Sequence, residues 1–190
     1  MARQPDVLTI MPPIQPVSLD GFVLRLPAED DTDALVRFGD DADTAETLWV
    51  PIPSPCSRAE AQERLRGFVD SWSGRSAFGP TLVVAEAASG EFVGIVFLRP
   101  REDMTIEIAY GTAPEHRCRG IATRALRRVC QWLFDERSVA RVELLIAEGN
   151  EASRRVAEKA GFEFRGLRQT HVAGTSRRYD DLLYVLEAPT

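Results

Sequence analysis

Between Thr105 and Phe134 the chain reads as a strand, a short loop and a long amphipathic helix, and the rest is organised around that unit. Thr105-Ile106-Glu107-Ile108-Ala109-Tyr110 is strand-like. Pro114 stops it, because proline cannot donate to a ladder. Ala122, Leu126, Val129 and Leu133 then recur at spacings of 4, 3 and 4, which makes one apolar helical stripe. Arg124, Arg127, Arg128 and Gln131 fall on the other side. Arg117-Cys118-Arg119-Gly120-Ile121-Ala122 lies where the helix begins. The first amides of a helix have no partner inside it and sit at the positive end of its macrodipole. The loop is therefore a natural seat for an anion, above all a phosphate. Gly120 has no side chain to hold a ligand away, and it accepts unusual backbone angles. Arg117 and Arg119 add two permanent cations. The pattern fits nucleotide-cofactor sites in general without choosing the nucleotide.

A chain of 190 residues with no linker in its middle is expected to form one domain with a real core. The net charge of −6 argues against nucleic acid as a partner, since phosphate backbones want a basic face. It suits a cationic substrate such as an amine, although it serves solubility equally well. Cys56, Cys118 and Cys130 are odd in number and far apart, a pattern that fits neither a disulfide framework nor a zinc site. No metal is expected. The apolar patch Val7 to Met11 is too short for a signal-peptide core, and no run could span a bilayer. A cytoplasmic protein with no membrane partner is the expectation.

Residues 1–20 carry Pro5, Pro12, Pro13 and Pro16 and are predicted to be an extended arm. Residues 21–190 are predicted to be the single domain. Phe22 to Leu26 reads as a first strand, and Glu29 to Phe38 as a helix with Ala34, Leu35 and Phe38 inward. Ser57 and Glu60 form a capping box for a helix to Trp72, with Ala61, Leu65, Phe68 and Val69 as its buried face. Strands follow at Thr81 to Glu86 and Phe92 to Leu98, joined as a hairpin. The near-continuous apolar run Arg141 to Ala147 predicts a central strand. A helix from Glu151 to Ala160 is closed by Gly161. Strand segments at 162–164 and 169–172, and a last strand from Arg178 to Leu186, complete the order β-α-α-β-β-β-α-β-α-β-β. Hairpins mixed with crossovers predict an α/β fold of the α+β kind with a mixed sheet.

Four motifs carry a resemblance. Arg117 to Ala122 resembles the Q/R-x-x-G-x-G/A pyrophosphate loop of the GNAT acetyltransferase superfamily. Glu107-Ile108-Ala109-Tyr110 resembles the E-I-G-Y strand of its RimJ/RimL-like branch, with Ala109 where glycine is usual. The segment from Asn150 to Phe162 is similar to that branch's N-x-x-S…K-x-G-F helix, and Tyr179-Asp180 to its closing element. The resemblance implies a GNAT-like fold of about seven strands and about four helices, with splayed central strands at 105–110 and 141–147. It implies acetyl-CoA as co-substrate and acetyl transfer to a primary amine, either a protein N-terminus or a small molecule. It implies that the coenzyme lies along Ile108, Ala109 and Tyr110, on the amides of Arg117, Cys118, Arg119, Gly120, Ile121, Ala122 and Thr123, and near Asn150 and Ser153. A homodimer is compatible with it. The alternative is a non-catalytic CoA-binding module of the same fold. Neither G-x-G-x-x-G nor G-x-x-x-x-G-K-[ST] occurs, which disfavours Rossmann and P-loop readings.

The chemistry sets the demands. An amine must be neutral to attack a thioester, at a cost of roughly 4–5 kcal/mol for a lysine-type amine and about 1.4 kcal/mol for an α-amine at pH 7. Glu107 is the candidate base, with a structural carboxylate paired to an arginine as the other reading. Ser153 is the candidate acid for the leaving thiolate, or else a serine that satisfies free amides at a helix start. The backbone N–H near Tyr110 is the candidate oxyanion donor. Trp49 and Pro51, in the apolar loop 48–55, and His171 are candidate pocket residues, each open to a plain packing role. His116 is expected to be solvated.

Overall fold

The computed structural model describes residues 16–42, 44, 55–73, 79–171 and 178–189, apart from the side chains of 170, 171, 178 and 179. One mixed sheet of eight strands dominates it, in the order β1-β2-β3-β4-β5-β6-β8-β7. The strands are β1 (Val17–Leu19), β2 (Phe22–Arg25), β3 (Thr81–Glu86), β4 (Phe92–Pro100), β5 (Thr105–Thr112), β6 (Arg141–Ala147), β7 (Glu163–His171) and β8 (Arg178–Glu187). The complete helices among the described residues are α1 (Thr32–Asp40), α2 (Arg58–Ser71), α3 (Ile121–Arg137) and α4 (Glu151–Ala160).

The sheet has eight strands where about seven were expected. The addition is β1, inside the expected arm, which pairs antiparallel with β2 from Val17↔Leu24 to Leu19↔Phe22. The segments expected near 162–164 and 169–172 are one strand, β7, with a bulge between Phe164 and Gly166. All pairings are antiparallel except β5 with β6.

Strand alternation builds two cores. On one face Leu82, Val84, Ile106, Ile108, Val142 and Leu144 pack under α3 and α4. On the other, Val83, Ala85, Ile95 and Phe97 pack under α1 and α2. The inward stripe of α3 is Ile121, Ala125, Leu126, Val129, Cys130, Trp132 and Leu133, so the expected Ala122 sits at its margin. In α2, Ala61, Leu65 and Phe68 are buried as expected, whereas Val69 lies outside the contact and is exposed.

Local signals act where they were read. Ser57 Oγ accepts from the Glu60 amide, and Glu60 accepts from the Ser57 amide, which closes the capping box of α2. Asn150 caps α4, and Gly161 ends it with φ of 100°. Gly94 lets β4 approach β5. A Cβ there would stand 2.7 Å from the Gly111 carbonyl oxygen.

The β5–β6 pair positions the site. These parallel strands share only Thr105↔Arg141, Ile106↔Val142 and Glu107↔Glu143. Beyond Glu107 they part, while β5 continues to pair with β4 and β6 with β8.

Candidate active site at the parting strands

The loop after β5 begins with a short 3-10 turn, Pro114–His116. Cys118 then takes φ of 60° and Gly120 φ of 71°, so the chain enters α3 through left-handed backbone. Glycine adopts that region without penalty, and nothing lies within 4 Å of where a Cβ on Gly120 would stand. Arg124 is the first residue of the turn to donate back into the helix, to the Gly120 carbonyl at 3.2 Å. The amides of Ile121, Ala122 and Thr123 therefore open α3 without intrahelical acceptors. This arrangement fits a diphosphate.

The two loop arginines are tethered. Arg117 forms an ion pair with Asp41 and donates to Thr44 Oγ1 at 3.0 Å. Burial raises the Asp41 pKa, but the hydrogen bonds from Arg117 and Thr44 outweigh it and hold the carboxyl below its ordinary range. Arg119 lies 2.9 Å from His116 Nδ1, and its carbonyl accepts from Arg124 at 3.2 Å. His116 is buried, contrary to the expectation of a solvated side chain, because the 3-10 turn folds it back under the loop. Cys118 is exposed.

At the mouth of the parting strands, the Tyr110 hydroxyl reaches across to the first turn of α4. It lies 2.7 Å from Ser153 Oγ and donates to the Ser153 carbonyl at 3.2 Å. The Ser153 amide donates to Asn150 Oδ1 at 3.0 Å. Tyr110, Ser153 and Asn150 are thus one connected unit joining β5 to α4. Burial pushes the Tyr110 phenol up to about 12, against a smaller downward pull from the Ser153 hydrogen bond.

The opposite face of the last shared rung is ionic. Glu107 is buried and accepts from Arg99 Nη1 at 3.1 Å, Arg101 Nε at 3.2 Å and Arg101 Nη2 at 2.7 Å. Its rung partner Glu143 is also buried and accepts from Arg168 at 2.5 and 3.3 Å. Two adjacent buried carboxylates would repel, and their guanidinium partners offset that. Glu143 and Arg168 were not singled out from sequence. The available signal was a glutamate inside the otherwise apolar run Val142 to Ala147.

Ile108 is buried, and Ala109, Ala122 and Thr123 are half-buried, with Ala109 on the opposite face of β5, against the α1 and α2 core. Trp49 and Pro51 lie outside the described residues, as does the side chain of His171, whose backbone belongs to β7. A cavity of about 330 Å³ lies elsewhere, between Pro27 to Thr32 and α2, lined by Leu65, Arg66 and Val69. Among the described residues no helix is long and apolar enough to cross a membrane.

Comparison with known proteins agrees with this geometry. The protein YkkB of Bacillus subtilis is 31% identical over 173 residues, covering 86% of this chain and 91% of its own length. RimJ of Mycobacterium smegmatis, solved in complex with CoA-disulfide, superposes with a TM-score of 0.75 at 22% identity, covering 92% of this chain and 86% of its own. RimL, a ribosomal-protein alpha-N-acetyltransferase solved with coenzyme A, gives 0.76 at 17% identity, covering 91% and 98%. The model of the acetyltransferase (GNAT) domain matches residues 22–163. With parting central strands and an amide-lined helix start in that same span, the chain belongs to the GNAT acetyltransferase family.

Proposed function

We propose that this chain moves an acetyl group from acetyl-CoA to a primary amine by direct attack, and that the amine is a protein α-amino group. One observation carries the reading: β5 and β6 part after three shared rungs, beside the Gly120-opened start of α3. The amides from Cys118 to Thr123 would hold the diphosphate, while that of Arg117 is already donated to the Pro114 carbonyl at 3.3 Å. The backbone groups of Ile108 and Tyr110 would pair with the pantetheine amides, with Asn150 and Ser153 alongside, while Ala109 lies opposite Phe97 in the ladder with β4. When bound, the coenzyme supplies an activated thioester.

The residues of this chain then have distinct tasks. The cleft holds donor and acceptor together. The Tyr110 backbone N–H points a donor at the developing oxyanion. Ser153 Oγ, hydrogen-bonded to the Tyr110 hydroxyl, would give its proton to the departing sulfur and regain one from solvent, to which Glu107 releases the proton it took. Glu107 takes the proton of the amine. Three guanidinium N–H groups already occupy its oxygens, so it reaches that proton through a water or after an arginine swings aside. The same ion pairs favour a second reading, in which Glu107 only anchors the rung.

The choice of an α-amine follows from its smaller deprotonation cost, about 1.4 against roughly 4–5 kcal/mol for a lysine-type amine at pH 7. The RimL likeness supports it. A thiol-release assay with acetyl-CoA across peptides, polyamines, amino acids and aminoglycosides tests the acceptor. Turnover confined to peptides with free N-termini is expected. Turnover only with polyamines or aminoglycosides refutes the α-amine, and coenzyme binding with no turnover on any amine points to a binding module. Glu107→Gln separates its two readings. A loss of kcat/KM of about 10²-fold or more with an unchanged coenzyme Kd marks the base, and unaltered turnover marks the anchor.

A further inference from the structure

His116 is buried beneath the loop that carries Arg119 and Gly120. One ring nitrogen, Nδ1, stands 2.9 Å from Arg119 Nη1. A guanidinium only donates, so this contact requires a lone pair on Nδ1 and places the ring proton on Nε2. That nitrogen is buried without a hydrogen-bond partner among the described residues, and Glu91 Oε1 lies 3.6 Å away. The neighbouring charges are committed elsewhere: Glu115 faces Arg37 at 3.9 Å, and Arg117 is paired with Asp41. Among the described residues, Arg119 and Glu91 are the charged groups that face the ring.

We propose that His116 is a positioning residue for the coenzyme seat: its neutral Nε2–H tautomer holds Arg119 beside the amides that open α3, where the guanidinium meets the coenzyme's phosphates. The inference rests on the coenzyme reading of that loop. Without an acceptor at the position of Nδ1 the guanidinium is no longer held 2.9 Å from the ring and is free to leave the seat.

The test is calorimetric titration of the full chain with coenzyme A at one fixed pH. The proteins are the wild type, His116→Asn, His116→Phe, Arg119→Gln and the double variant His116→Phe with Arg119→Gln. The asparagine carbonyl can accept where Nδ1 does. His116→Phe is expected to weaken binding by up to about fivefold, the most an exposed ion pair contributes, and His116→Asn to keep the wild-type affinity. In the Arg119→Gln background His116→Phe is expected to change nothing further. Equal affinity of His116→Phe and wild type, or the same loss from His116→Phe with and without Arg119, overturns the proposal. If His116→Phe does not fold, His116→Asn still decides, since a loss there equal to that of Arg119→Gln overturns the proposal. Absence of any heat with the wild type overturns the coenzyme reading and this inference together, whereas binding without the expected losses overturns this inference alone.

Discussion

Replacing Tyr110 with phenylalanine removes one oxygen from the bridge between β5 and α4, and its effect on stability should change sign with pH. At pH 7 the variant loses the contacts to Ser153 Oγ at 2.7 Å and the Ser153 carbonyl at 3.2 Å. A loss of about 1 kcal/mol follows. In alkali the balance shifts. The folded phenol titrates near 12, against 10.0 for an unburied one. A pKa raised by folding stabilises the protein fully below the unfolded value and loses that contribution as pH climbs through the folded one. Two pH units correspond to about 2.7 kcal/mol, so the wild type sheds up to that amount between about pH 10 and 12 and the phenylalanine variant does not. The two stabilities should cross near pH ~10.6, where the linked loss reaches about 1 kcal/mol. Burial also pushes the Cys130 thiol up, but both proteins share that and it cancels. Urea unfolding followed by circular dichroism, at fixed pH from 7 to 11.5, gives the difference directly. A gap that stays constant across that range would refute the reasoning, because it would mean that the phenol is not held protonated by the fold.

Other outcomes follow from the same geometry. Gly94→Ala should lower stability by about 1–3 kcal/mol, read as a drop in Tm, because the new Cβ would meet the Gly111 carbonyl oxygen at 2.7 Å and neither backbone can yield freely. Gly120→Ala should cost about 1 kcal/mol for its φ of 71°. Its surroundings are open, so a larger loss in a thermal melt would contradict the account of that turn. Asp41→Asn should be about 1 kcal/mol less stable than wild type at pH 7. Folding lowers the Asp41 pKa, so the pair's contribution is present above about pH 4 and fades below it. The gap in an acid-unfolding series should narrow as pH falls below that point, and a gap that widens there would count against the pair.

The features legible in sequence were those set within a few residues. The Ser57–Glu60 box, the Asn150 cap, the Gly161 stop and the left-handed entry at Gly120 each depend on neighbours along the chain, so residue type alone announces them. The mixed sheet followed from hairpin and crossover spacing. What stayed hidden depends on register between distant segments. Arg168 meets Glu143 only because β7 and β6 both flank β8, and neither residue type signals that partnership. Arg101 finds Glu107 because β4 runs into a tight return to β5. Strand β1 was concealed by its shortness beside proline, and the burial of His116 by a turn that reads as loop. Val69 matched the helical period yet lies past the edge of the α2 contact.

The two-faced character of β5 bears on how this protein can vary through descent. Ile106 and Ile108 point into the oily side, while Glu107 between them meets its arginines on the other. Deleting or inserting a single codon within 105–108 would rotate the side chains on one side of the change to the wrong face. A carboxylate would be driven among isoleucines and leucines, and two guanidiniums would be stranded. Such length changes should be lethal to folding there, so novelty in acceptor choice has to come from point substitutions or from resizing the connecting segments.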